Sequence, residues 1–131
     1  MITENIKVLM TYRLEQADES LQAAKTLLEQ RLIRPSINRA YYAMFYAVLA
    51  LLVMEKKETS KHGGAIALFD RDFVKKGVFT KDFSRWLHDA FDLRQRSDYT
   101  ALYCASMDEA EKTLENARVF VMEVQTQIKK I

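Results

Sequence analysis

Apolar residues recur along this chain at spacings of three and four, and no stretch alternates cleanly at every second residue. That period belongs to helices, so the pattern predicts an all-α protein. Between residues 3 and 30, Met10, Leu14, Ala17, Leu21, Ala24 and Leu28 form one narrow stripe, while Arg13, Glu15, Asp18, Glu19 and Lys25 occupy the other faces. Thr3 suits the N-cap and Glu4 the first turn, so this segment is expected as an outer helix packed on one side. Residues 37–54 behave differently. They are apolar on nearly every side, with Asn38 and Arg39 at the start and Tyr41, Tyr42 and Tyr46 close behind. A helix without a polar face must be enclosed by protein or by lipid. The stretch is a little short for a membrane span of roughly 20 apolar residues, and it opens on an amide and a guanidinium. It is therefore expected as the central helix of a soluble bundle. Pro35 fits its first turn, and the short link at 31–34 implies antiparallel neighbours. Ala40, Ala43, Ala47 and Ala50 form a strip of small residues open to a close neighbour, from the same bundle or a second subunit; Tyr42, Phe45, Leu49 and Leu52 form the bulky face opposite.

The polar run at 55–61 should end this helix, and Lys61-His62-Gly63-Gly64 reads as a flexible hinge into a shorter helix with Ile66, Phe69 and Phe73 inward. Gly77, behind Lys75 and Lys76, suits that helix's C-terminal cap. Thr80 is expected to cap the next long helix, whose stripe of Phe83, Leu87 and Ala90 is widened by Trp86 and Phe91. Four residues beyond Ala90 stands Arg94. A guanidinium on a core stripe requires carboxylate, phosphate or carbonyl partners, because an unpaired buried charge is costly. The last helix opens with a capping box, Ser106 followed three residues later by Glu109. It continues as a seam of Met107, Ala110, Leu114, Ala117, Val121, Val124, Ile128 and Ile131. The expectation is an up-and-down antiparallel bundle of four long helices plus one shorter helix, a single domain over residues 1–131.

Composition narrows the function classes. Cys104 is the lone cysteine, so no intramolecular disulfide forms, and the N-terminus lacks the basic start and unbroken apolar core of a secretory signal. A cytoplasmic protein with no membrane role is expected. Two histidines and no Cys/His cluster leave no metal site, and no P-loop or dinucleotide fingerprint implies a cofactor. The net charge of +2 is modest, yet residues 31–96 hold thirteen basic against seven acidic side chains. A mildly basic surface there suits an anionic ligand such as RNA or a nucleotide, or is a normally solvated face.

Two groups carry candidate chemistry. Arg94, Arg96, Ser97, Asp98 and Tyr99 lie together at the end of the fourth long segment, where Arg94 faces Ser97 and Asp98 on a continued helix. Arg94 could hold a phosphate with Asp98 and Tyr99 orienting it, or form a structural pair with Asp98 that closes the bundle end. Asn38, Arg39, Tyr42 and Tyr46 form the second group, either a pocket wall facing Arg94 or tyrosines with their hydrogen-bond partners. His62 and His88 are each an acid–base candidate or a surface or capping histidine.

The central NRAYYAMFYAVLALL, the later KHGGAIALF and the RQRSDY segment resemble the HEPN superfamily, the higher-eukaryote and prokaryote nucleotide-binding domain, over nearly the whole chain. The likeness is to its small stand-alone prokaryotic members, which often accompany a minimal nucleotidyltransferase. It implies a helical bundle that dimerises with its arginine-bearing segments near the two-fold axis. Many members are metal-independent ribonucleases, often toxins, whose signature is an arginine followed after four to six residues by a histidine. Arg94 matches that arginine and Gln95 the polar residue after it, but positions 99, 100 and 101 are Tyr, Thr and Ala. A phenol such as that of Tyr99 can orient a substrate but is a poor base at neutral pH. The resemblance therefore implies a dimeric nucleotide- or RNA-binding partner of a nucleotidyltransferase in a toxin–antitoxin-like pair. The alternatives are a ribonuclease toxin acting through Arg94 with Asp98, Tyr99 or a displaced His62, and a structural dimer without ligand.

Overall fold

The computed structural model describes residues 3–57, 59 and 61–130. Its helices are α1 (Glu4–Glu29), α2 (Ile33–Met54), α3 (His62–Phe69), α4 (Lys81–Tyr99) and α5 (Met107–Lys129), with a π-helical turn, Asp70–Val74, continuing α3. The all-α expectation is met. The clusters of side chains fix the helix directions: Met10 near the start of α1 packs with Ala50 and Val53 at the end of α2 and with Ile128 at the end of α5. At the opposite end Leu28, Ile37, Leu93 and Ala110 meet. Hence α1 and α4 run one way, and α2 and α5 the other.

α2 is the shared core element. Thirteen of its side chains are buried, from Ser36 to Val53. It has the length and composition of a membrane span, but protein encloses it: α1, α4 and α5 pack around it. The alanine strip is used up in this packing. Ala40, Ala43, Ala47 and Ala50 are each fully buried within the single chain, so the close neighbour is the chain's own bundle and not a second subunit. Ser36 fastens the same interface, donating its hydroxyl to the Ala24 carbonyl of α1 at 2.8 Å.

Helix ends depart from the sequence expectations in instructive ways. α2 begins at Ile33, four residues ahead of the apolar run, because Pro35 falls in the first turn, where a missing N–H costs nothing. α1 ends in a Schellman-type cap in which Leu32 N–H reaches the Leu27 carbonyl and Arg31 takes φ +61°. α2 closes likewise, with Lys56 at φ +59° and Lys57 N–H on the Leu52 carbonyl. Gly77, at φ +82°, closes the third such turn, as its glycine signalled. The expected glycine hinge is instead helix: α3 starts at His62, and Gly63 and Gly64 form its first turn. Thr80 occupies the N-cap position of α4 but makes no side-chain cap bond, whereas Thr3 and the Ser106–Glu109 capping box do cap α1 and α5.

α3 and its π turn cover one side of the bundle. Phe69 packs on Phe73, Phe79 and Phe120, and Phe83 joins Phe79 and Phe120, giving a cluster of five phenylalanine rings. Phe120 is fully buried, although it lies outside the three-four seam of α5; Ile131, the last member of that seam, lies outside the described residues. The π turn also buries Asp72, which is held by Lys57 and Arg71. These two cations keep its carboxyl well below the usual carboxylate range.

Candidate functional site

Arg94 lies on the face of α4 that carries Leu87, Ala90, Leu93 and Ser97 into the core. Its side chain is only 12% exposed. The guanidinium meets three partners: its Nε lies 3.2 Å from Asp98 Oδ2 as an ion pair, and its Nη2 donates to the hydroxyls of Tyr42 (3.1 Å) and Tyr99 (3.3 Å). It also lies over the Tyr42 and Tyr99 rings, at 5.2 and 5.4 Å from their centroids. Among the described residues Nη1 has no hydrogen-bond partner, which leaves donors available at the end of a pre-positioned fork.

The two groups seen in the sequence do meet. Asn38, in the second turn of α2, donates its amide to Asp98 Oδ2 at 2.9 Å. Its own carbonyl accepts from Arg39 Nε and Nη2, and the Arg39 guanidinium lies 4.8 Å from the Tyr42 centroid. Tyr46 adjoins Tyr42 at 5.8 Å. Asn38, Arg39, Tyr42, Arg94, Asp98 and Tyr99 are thus one connected cluster joining the start of α2 to the end of α4. Arg96 and Ser97 stand apart from it. Arg96 lies over the Tyr103 ring at 5.0 Å, toward the start of α5, and Ser97 is buried with no partner for its hydroxyl among the described residues. His88 is also remote, its Nε2 2.7 Å from Asp70 Oδ2.

Two side chains that sequence reasoning left on the margin join the cluster. His62 stacks on Phe45 (4.3 Å between centroids) and meets Tyr42 edge-on at 5.6 Å. Its Nδ1 lies 2.6 Å from the hydroxyl of Tyr41, which is fully buried. Burial, with the Arg94 charge adding to it, lowers the pKa of the imidazole. Burial raises that of Tyr41, so this phenol stays protonated. No linear pattern links His62 to Arg94, since the two are thirty-two positions apart on different helices. Phe45 also lines a recess of about 640 Å³, with Arg13, Lys57 and Lys61 on its walls. Lys57 is already engaged there by Glu55 and Asp72. Among the described residues no group of three or more His, Cys, Asp or Glu side chains is spaced to hold a metal ion.

Chemically the cluster is a cationic fork set in aromatic rings, with one carboxylate to balance it. Such a fork matches the geometry of phosphate oxygens, and the surrounding rings offer faces for a base.

Comparison with known proteins agrees with the residue pattern. The family model described as the HEPN domain matches residues 10–127. A protein of Methanocaldococcus jannaschii named "Putative toxin MJ0605" is 33% identical over 131 residues, covering 100% of this chain and 97% of its own. A second protein of that organism, "Putative toxin MJ0142", is 31% identical over 82% of this chain and 74% of its own. A UPF0332 protein of Thermotoga maritima is 38% identical over 77% of this chain and 76% of its own. With that family model spanning residues 10–127 and a relative 33% identical along the whole chain, the chain belongs to the HEPN domain family.

Proposed function

We propose that the Arg94 cluster binds a phosphate group of RNA or of a nucleotide, and that the protein acts as a dimeric partner of a minimal nucleotidyltransferase in a toxin–antitoxin-like pair. One observation carries the binding reading: Arg94 is nearly buried and fixed by Asp98, Tyr42 and Tyr99, yet keeps Nη1 unengaged among the described residues. A guanidinium with a purely structural task would have its donors satisfied internally. Membership of the HEPN family and the toxin names of two relatives support a nucleic-acid role. Dimerisation no longer draws support from the alanine strip. It draws support from Tyr99, which touches Arg94 and is 70% exposed, and from Leu102, three residues further along the chain and 96% exposed, both suited to a contact surface. Arg94→Ala is expected to lower affinity for single-stranded oligonucleotide at least tenfold while the fold persists. Unchanged affinity removes Arg94 from the site. Light scattering showing a monomer at tens of micromolar overturns the dimer, and absence of a nucleotidyltransferase gene beside this one counts against that partner.

The relatives' toxin names also favour a second reading, RNA cleavage without metal. The positions open to the signature histidine, 99 to 101, hold Tyr, Thr and Ala, and the imidazole whose charge state Arg94 influences is His62. This reading predicts cleavage in the presence of a chelator and growth arrest on expression, both lost in Arg94→Ala. Intact RNA across several substrates sinks it.

A further inference from the structure

We infer that His62 is a phosphate-contacting residue of the Arg94 site, held by Tyr41 as the neutral tautomer that carries its proton on Nε2. The inference rests on the binding function proposed above and specifies the second donor of that site.

The geometry limits the tautomer. Tyr41 is fully buried, and among the described residues its hydroxyl has one hydrogen-bond partner, His62 Nδ1 at 2.6 Å. If Nδ1 carried the proton, it would donate to the phenol oxygen. The phenol proton would then be left in the apolar core without an acceptor, which a buried site penalises. If Tyr41 donates to the Nδ1 lone pair, both groups are satisfied and the ring proton sits on Nε2. A doubly protonated imidazole repeats the first fault and adds a positive charge close to Arg94. The groups facing the ring are Tyr41, Tyr42 and Phe45 from α2 and Phe91 and Arg94 from α4, and none is a carboxylate that would stabilise that charge.

The same contacts fix where the proton points. Nδ1 faces the core, so Nε2 occupies the opposite edge of a ring that is itself only partly buried. Stacking on Phe45 at 4.3 Å and 16° prevents the ring from turning away. Arg94 and His62 share Tyr41 and Tyr42 as neighbours, so a phosphodiester on the guanidinium has a neutral N–H donor beside it. An Nε2 that already carries a proton has no lone pair with which to deprotonate a ribose hydroxyl. The arrangement therefore holds a phosphate and is poorly set up to cleave one.

Two measurements test this. Long-range ¹H–¹⁵N NMR on the wild-type protein reads both histidines, with His88→Gln assigning the His62 signals. At neutral pH the expected pattern is Nε2 protonated and Nδ1 unprotonated, turning into a mixture of tautomers in Tyr41→Phe; an Nδ1-protonated His62 in the wild type overturns the inference. Fluorescence anisotropy with a short labelled oligouridylate reads the contact. His62→Ala should weaken binding roughly tenfold, whereas His62→Gln, whose amide N–H stands near the Nε2–H position, should stay within about threefold of wild type. Equal losses in the two variants indicate a packing role and overturn the inference, since both remove the stack on Phe45. If Arg94→Ala loses binding and His62→Ala does not, this inference fails and the proposed site stands. If the wild type binds no oligonucleotide, or Arg94→Ala binds as well as the wild type, the proposed site fails and His62 as its donor fails with it.

Discussion

Asn38 and Asp98, sixty positions apart in the chain, are joined by a 2.9 Å hydrogen bond from the Asn38 amide to Asp98 Oδ2, the same oxygen that lies 3.2 Å from Arg94 Nε. One carboxylate oxygen thus ties the start of α2 to the end of α4 and balances the charge between them. Removing Asp98 leaves a nearly buried guanidinium without its counter-charge. Asp98→Ala is therefore expected to cost about 2–4 kcal/mol in urea unfolding, and Asn38→Ala about 1 kcal/mol. The double variant should show less than the sum, since the two side chains share one interaction. Strict additivity would mean that the contact contributes nothing.

The non-glycine residues at positive φ give a stabilising prediction. Arg31 closes α1 at φ +61° although its side chain is exposed and makes no hydrogen bond among the described residues. A left-handed conformation costs an ordinary L-residue roughly 1–2 kcal/mol, part of which glycine gives back through its more flexible unfolded chain. Arg31→Gly should raise the stability by about 0.5–1 kcal/mol. A lower urea midpoint would show that the arginine side chain contributes something the fold does not reveal.

The buried alanine strip predicts intolerance within the monomer. Ala47 is fully buried in the core shared by α2 with its neighbours. Ala47→Leu should therefore destabilise by about 1–3 kcal/mol or more through overpacking. Because the strip is internal, the loss should be the same at low and high protein concentration. A loss that grows on dilution would place Ala47 at a subunit contact.

Two groups give the stability a defined pH dependence. Burial and the Arg94 charge lower the pKa of His62, so the unfolded chain takes up this proton first. As pH falls below the ordinary histidine value of about 6.5, stability should drop, and His62→Gln should remove that drop. Asp72 acts further down. Arg71 and Lys57 depress its pKa, so its contribution is complete above the unfolded carboxylate's pKa of about 3.9 and is lost as pH falls from there toward the folded value. Asp72→Asn should lower stability at neutral pH and flatten the acid limb. Urea midpoints across pH 3 to 8 check both, and an unchanged slope in either variant rejects the corresponding assignment.

Much of the architecture was legible because it depends on local periodicity and end signals. The stripe of α1, the all-round apolar α2, the Ser106–Glu109 box and the Gly77 turn act over a few residues, and the structure shows each of them. The glycine pair after Lys61 misled because glycine is permissive as well as flexible: once α3 packs on α2, Gly63 and Gly64 accept helical geometry. Phe120 falls outside the three-four seam of α5 because the phenylalanine cluster from α3 and the following turn widens the buried face beyond that stripe.

Spacing along single helices is enough to establish a helical protein whose arginine at position 94 falls on a core stripe and needs partners. The residues themselves show that no histidine stands at positions 99 to 101. What surrounds that arginine came from the packing of the helices: Tyr42 of α2 on the guanidinium, Asn38 of α2 on Asp98, and His62 of α3 against Tyr41. Those contacts depend on how three helices cross, and the side-chain spacing within one helix carries no record of that crossing.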